Sequence, residues 1–128
     1  MHVALLCTAL LGLLVFGLGL GVSAVRGSTN QNYGYTPDPT DRLYKMVRAH
    51  ANACEFAPML GLLMVVVGAR QPAAWMVWTF VVATVSRYFH AAGMILSPSL
   101  AGAHPLRFLG ALGTYVAGTV LCVAVLLV

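Results

Sequence analysis

Apolar residues run along this chain in four long blocks, separated by three shorter polar stretches. The first block extends from about Val3 to Val25 and is closed by Arg26. Residues 27–41 (GSTNQNYGYTPDPTD) offer no apolar face and are expected to form a polar loop. A second helix is predicted over about 41–68. Thr40 or Asp41 is placed to accept from the free backbone N–H groups at its start, and the aspartate also suits the positive end of the helix dipole. Its first turns carry Arg42, Lys45 and Arg48, so they are expected to protrude from a membrane or line a polar cleft. Pro58 inside it is expected to bend it. A short turn, 69–72, carries Arg70. The third block, about 73–96, begins with Trp75 and Trp78, the side chains that favour a membrane interface. It turns polar at Ser86, Arg87, Tyr88 and His90. After a loop over 97–104 the fourth, about 105–127, opens on Pro105, a favoured first-turn residue.

Each block is about 20 residues or more, long enough to cross roughly 30 Å of hydrocarbon. The pattern therefore predicts an all-α, integral membrane protein of four transmembrane helices forming a single unit over 1–128. Composition agrees: 60% of residues are hydrophobic and 8% charged, and the mean hydropathy is +0.88. A secretory leader is the rival reading of the first block, because Val22-Ser23-Ala24 resembles a cleavage site. No Lys or Arg precedes the run, however, and it exceeds the ~7–15 residues of a leader core, so it is expected to remain as a span.

Seven Lys and Arg face only Asp38, Asp41 and Glu55. The positives are scattered at helix ends rather than gathered in a run, which argues against nucleic acid. Arg26, Arg42, Lys45, Arg48, Arg87 and Arg107 all flank the first and third loops, and Arg70 alone marks the other side. The positive-inside tendency then places those loops in the cytoplasm and both termini opposite. Cys7, Cys54 and Cys122 lie in apolar stretches without chelating spacing, so no metal is expected.

Arg48, Asn52 and Glu55, spaced four and three apart, share one face of the second helix. One reading of them is an Arg48–Glu55 pair that holds the bundle together. Arg87 with His90 on the third helix and Arg107 on the fourth are expected to converge with Arg48 at one membrane depth. One acid facing three or more arginines leaves positive charge unpaired, which a ligand with carboxylates would neutralise. Glu55 would take that ligand's ammonium group, a pattern that suits a zwitterionic, peptide-like molecule.

The string Arg48-Ala-His-Ala-Asn-Ala-Cys-Glu55 followed by Pro58, the stretch Arg87-Tyr-Phe-His90, and Pro105-Leu-Arg107 together resemble, in order and topology, the signatures of the MAPEG superfamily, membrane-associated proteins of eicosanoid and glutathione metabolism. The resemblance covers essentially the whole chain. It implies a left-handed four-helix bundle assembled as a homotrimer, with glutathione as co-substrate in a cleft between subunits that opens to the cytoplasm. It further implies that Arg48, Asn52, Glu55, Arg87 and His90 bind glutathione or shape its site, that Arg26 is a further contact, and that Arg107 stabilises the thiolate. His50 matches a position often His or Gln, with helix–helix hydrogen bonding as its alternative. A short chain without an appended domain reads as a minimal, bacterial-type member.

Two positions depart from the family pattern. Met94 stands where several catalytic relatives have a tyrosine, leaving Tyr88 and Tyr115 as substitutes or as packing residues. Ala53 stands where many relatives have Asp. The function expected is a glutathione-dependent transferase or peroxidase acting on lipophilic electrophiles or lipid hydroperoxides. Its alternatives are a non-catalytic lipid-binding member of the same family, and a small transporter or channel component. The last would spread polar residues through the bilayer depth, whereas the middle of every span here is read as Val, Leu, Ala, Gly and Met.

Overall fold

The computed structural model describes residues 1–128 as four helices and no strand: α1 (His2–Thr29), α2 (Arg42–Gly68), α3 (Ala74–Leu96) and α4 (Pro105–Leu127). All four are long and apolar enough to cross a membrane. They run alternately up and down, so the 30–41 and 97–104 loops share one end. At that end the Leu100 N–H donates to the Pro39 carbonyl at 2.9 Å, and Lys45 Nζ donates to the Ser97 carbonyl at 3.0 Å. At the other end the backbone of Gly68 lies against Ala4 and Met1. Every helix pair is in contact except α1 with α4. The bundle is thus a rhombus with α2 and α3 on its short diagonal.

The ends follow local chemistry. Asp41 caps α2, its carboxylate accepting from the Tyr44 N–H at 2.7 Å, and Pro105 opens α4. The first helix runs four residues past the expected Val25, through Arg26, Gly27, Ser28 and Thr29. Gly27 and the hydroxyl residues look like loop, but Ser28 and Thr29 each donate at 2.9 Å to the Val25 carbonyl. Asn30, in the left-handed conformation with φ 53, then ends the helix and its N–H returns to the Arg26 carbonyl, the usual geometry of a helix C-terminus. Helix α2 continues through Pro58.

Inside and outside are chosen by size rather than by polarity. Ala49, Ala53, Ala57, Ala83, Ala91, Ala117 and Ala124 are buried, while Phe16, Trp78 and Leu126 face outward at 75%, 69% and 83% exposure. Small residues let helices approach where lipid removes the hydrophobic drive for association. The closest approach joins α3 to α4, where Gly93 packs on the backbone of Leu106 and Arg107, and Gly110 on the backbone of His90 and Ser86.

Two apolar clusters result. The larger includes Leu11, Leu60, Met64, Phe80 and Leu121 and fills the half near the termini. The smaller, Leu14, Leu18, Ala49, Ala53, Ala91 and Met94, fills the half near the 30–41 and 97–104 loops. Between them on α3 and α4 lie Thr84, Ser86, Arg87, His90 and Thr114, all buried and all polar.

Candidate functional site

Arg87 is the largest fully buried side chain of the bundle, at 1% exposure. A guanidinium at this depth costs several kcal/mol unless its donors are met. Its Nη2 donates to Asn52 Oδ1 at 2.6 Å and to the Asn52 carbonyl at 3.3 Å. Its Nη1 reaches Thr114 Oγ1 at 3.5 Å, and that hydroxyl donates in turn to the Gly110 carbonyl at 2.7 Å. The Phe56 ring lies beneath the guanidinium carbon, 5.1 Å from ring centroid to Cζ, a cation–π contact. All acceptors are neutral. The charge is therefore solvated by the fold but not compensated by a carboxylate, and Nε is buried without a partner.

Asn52 connects this cation to Glu55. Its Nδ2 donates to Glu55 Oε2 at 3.5 Å, so the amide oxygen serves the arginine while the amide nitrogen serves the acid. Glu55 is exposed on the outer face of α2. It opens a cavity of about 430 Å³ between α2 and α4, whose wall includes Phe56, Leu60, Leu63, Thr114 and Tyr115. The Tyr115 ring meets Phe56 edge-on with centroids 5.7 Å apart. The cavity thus has a polar mouth, set by Glu55, over an apolar body.

Thr114 and Phe56 were not among the sequence candidates. Thr114 follows Arg107 by seven residues and so falls on the same face of α4, which is the one signal that could have found it. Phe56 adjoins Glu55 but carries no polar group.

The expected convergence at a single depth is corrected. Asn52 lies ten positions inside α2 from Arg42, Arg87 nine inside α3 from Leu96, and Thr114 nine inside α4 from Pro105. At ~1.5 Å per residue these three share a level about 14 Å from the helix ends. Arg48 sits one turn nearer the loops and Glu55 about one turn deeper. Arg107, the third residue of α4, lies at the loop itself. The polar groups form a ladder down α2 and α3 because their sequence distances from the loops differ, and with Thr84, Ser86 and Arg87 buried near the middle of α3 the reading of every span as apolar at its middle is corrected too.

Arg107 is occupied locally: Nη1 donates to the Leu100 carbonyl at 3.1 Å and Nη2 to the Gly102 carbonyl at 2.7 Å. It fixes the 97–104 loop and remains without a carboxylate. His90 is buried on the α3–α4 contact, and its Nδ1 has no partner. Arg48 is exposed on the Asn52–Glu55 face of α2. Neither Arg48 nor Arg87 is joined to Glu55 by a direct hydrogen bond, so the intrahelical Arg48–Glu55 pair does not hold the bundle together.

Three further candidates lie apart from this cluster. Arg26 turns back on the end of α1, donating to the Gln31 carbonyl at 3.1 Å. His50 lies on the opposite face of α2 from Asn52, against Gly19 of α1. Tyr88 bridges to α1, its hydroxyl donating to the Leu10 carbonyl at 2.9 Å. Met94 is packed in the smaller apolar cluster.

Four membrane-spanning helices thus surround a buried polar layer drawn from three of them, with an unneutralised arginine beside a cavity that Glu55 lines. The sequence matches the MAPEG family over residues 4–127, and the chain belongs to that family. No curated protein and no solved structure matches it.

Proposed function

We propose that this MAPEG protein is a glutathione-dependent transferase or peroxidase of lipophilic compounds. The observation that carries the reading is the Arg87–Asn52–Glu55 relay: an uncompensated guanidinium, an amide and a carboxylate in sequence beside an apolar cavity. Glutathione offers two carboxylates and one ammonium; Glu55 can take the ammonium and Arg48, exposed on the same face of α2, a carboxylate, while buried Arg87 holds Asn52 in place behind them. Arg48 and Glu55 sit on the outer face of α2, so a neighbouring copy in a homotrimer would supply the other wall of the cleft. The excess of basic residues at the 30–41 and 97–104 loops supports a cytoplasmic opening, with the termini opposite.

The chemistry proposed is thiol activation. Loss of the thiol proton leaves the reactive thiolate, which a nearby guanidinium favours. Arg107 is the residue proposed for this, because no carboxylate neutralises it; it lies at the loop, roughly 10 Å from the level of Arg87, so the tripeptide would extend between the two levels. In conjugation, the sulfur–carbon bond forms as the leaving group departs from the electrophilic carbon with its electron pair. In peroxide reduction, the thiolate attacks one oxygen, the O–O bond breaks to give the alcohol, and a second glutathione converts the sulfenic acid to disulfide and water.

The burial of Met94 in an apolar cluster favours a second reading, a lipid-binding member without catalysis. The test is conjugation of a chlorinated nitrobenzene and reduction of a lipid hydroperoxide by the purified protein in detergent, beside glutathione binding. Turnover that Glu55→Ala abolishes supports the enzyme. Glutathione binding without turnover removes the catalytic assignment, and absence of both with retained fatty-acid binding supports the second reading.

A further inference from the structure

Lys45, one turn into α2, lies apart from the Asn52–Arg87 relay. Its ammonium reaches across to the end of α3 and donates to the Ser97 carbonyl at 3.0 Å. Ser97 is the C-cap of α3 and is buried. A cation there meets the negative end of the helix dipole, and the carbonyl gains a charged donor. Ser97 also begins the 97–104 loop, so Lys45 fixes where that loop starts. The next residues are tied down one after another. Ser97 Oγ donates to the Ser99 carbonyl at 2.6 Å and the Ala101 N–H to Ser99 Oγ at 3.2 Å, while the Leu100 N–H is held by the Pro39 carbonyl.

The carbonyls that this loop turns towards α4, those of Leu100 and Gly102, are the two acceptors of the Arg107 guanidinium. Gly93 packs on the Arg107 backbone. Arg107 is thus held at both ends, its main chain by α3 and its tip by the loop. A guanidinium has five N–H donors, and with two of them on the loop the rest remain for an anion. A donor fixed before the ligand arrives stabilises developing charge better than one that must first reorganise.

We propose that Lys45 is a positioning residue for thiolate stabilisation: by pinning Ser97 it sets the Leu100 and Gly102 carbonyls that aim Arg107. The inference rests on the thiol-activation reading and adds to it a residue that acts only through Arg107. A lysine whose own charge acted on the sulfur would keep its effect when Arg107 is removed, whereas a positioning residue would lose it.

The protein in detergent, saturated with glutathione, is titrated while ultraviolet absorbance reports the bound thiolate; circular dichroism verifies the fold of each variant. Arg107→Ala should raise the pKa of the bound thiol towards the ~8.5 of an ordinary thiol. Lys45→Met should move it the same way, leaving at least about threefold less thiolate at neutral pH, a shift of ~0.5 unit. Lys45→Arg, which keeps a cationic donor for Ser97, should restore the unsubstituted value. In the Arg107→Ala protein, Lys45→Met should add nothing. An unshifted thiol in folded Lys45→Met overturns the proposal and leaves activation by Arg107 standing. So does a Lys45→Arg protein no better than Lys45→Met, or an equal effect of Lys45→Met with and without Arg107. Absence of bound thiolate in the unsubstituted protein, or an unshifted thiol in Arg107→Ala, removes the thiol-activation reading and the role of Lys45 with it.

Discussion

Asn52 Oδ1 accepts from Arg87 Nη2 at 2.6 Å, across the α2–α3 contact, and this is the shortest polar link between helices in the bundle. It explains how the fold tolerates a guanidinium that is 1% exposed. Replacing Asn52 by Leu keeps the bulk but removes the side-chain acceptor of a buried cation. A hydrogen bond to a charged group contributes about 1.5–3 kcal/mol, so Asn52→Leu should lower stability in detergent by about that amount. Thermal unfolding followed by circular dichroism checks it. An unchanged midpoint would mean that Arg87 finds another partner.

Thr114 holds the other arm of the same guanidinium, at the longer distance of 3.5 Å. Thr114→Val preserves shape and deletes the hydroxyl. Its cost should be smaller, about 0.5–1.5 kcal/mol. If Thr114→Val proves more damaging than Asn52→Leu in the same unfolding assay, the ranking of the two arms is wrong.

Gly93 and Gly110 allow α3 and α4 to meet backbone to backbone at Arg107 and His90. A methyl group at either position has no flexible neighbour to displace. Gly110→Ala should therefore cost about 1–3 kcal/mol through overpacking, whereas Gly12→Ala, with open space around it, should be close to neutral. Comparing the yields and melting temperatures of the two variants separates a packing role from general helix propensity.

The 30–41 loop carries a pH-sensitive turn. The Thr40 N–H and hydroxyl both donate to Asp38 Oδ1 at 2.8 Å, and the backbone bond, followed by the hydroxyl bond, holds the Asp38 carboxyl below its ordinary value of 3.8. A lowered carboxyl contributes stability that is complete above the ordinary value and is lost as pH falls through the lowered one. The turn should thus be intact at pH 5 and above and loosen only below 3.8. The Thr40 amide resonance, followed by NMR from pH 6 to 2, should move only in the acid part of that range. A midpoint above 3.8 would contradict the hydrogen-bonded geometry.

Much of this architecture is readable from the chain, and the misses have physical causes. Asp41 and Pro105 announce their helices because an acceptor and a fixed φ act locally. The end of α1 lies beyond the expected Val25 because Ser28 and Thr29, which suit loops, instead bond back to Val25 and prolong the helix. The shared face of Asn52 and Glu55 follows from helical periodicity. Their depth differs from that of Arg107, and counting residues from each loop separates Arg107 from Arg87 by roughly 10 Å. The attachment of Arg107 to Leu100 and Gly102 was not legible, since it depends on how the 97–104 loop folds over the start of α4. Thr114 gives no signal in the sequence because a lone hydroxyl in an apolar helix usually bonds its own backbone, as it also does here to Gly110.

The claim on which the functional account rests is that the Arg87–Asn52–Glu55 set receives glutathione. Isothermal titration of the purified protein with glutathione, repeated on Glu55→Ala, addresses it most directly. The account predicts saturable binding that weakens at least about tenfold in Glu55→Ala, the loss of one charge-assisted contact. Equal affinity in the two proteins, with the helical fold of both verified, would contradict it.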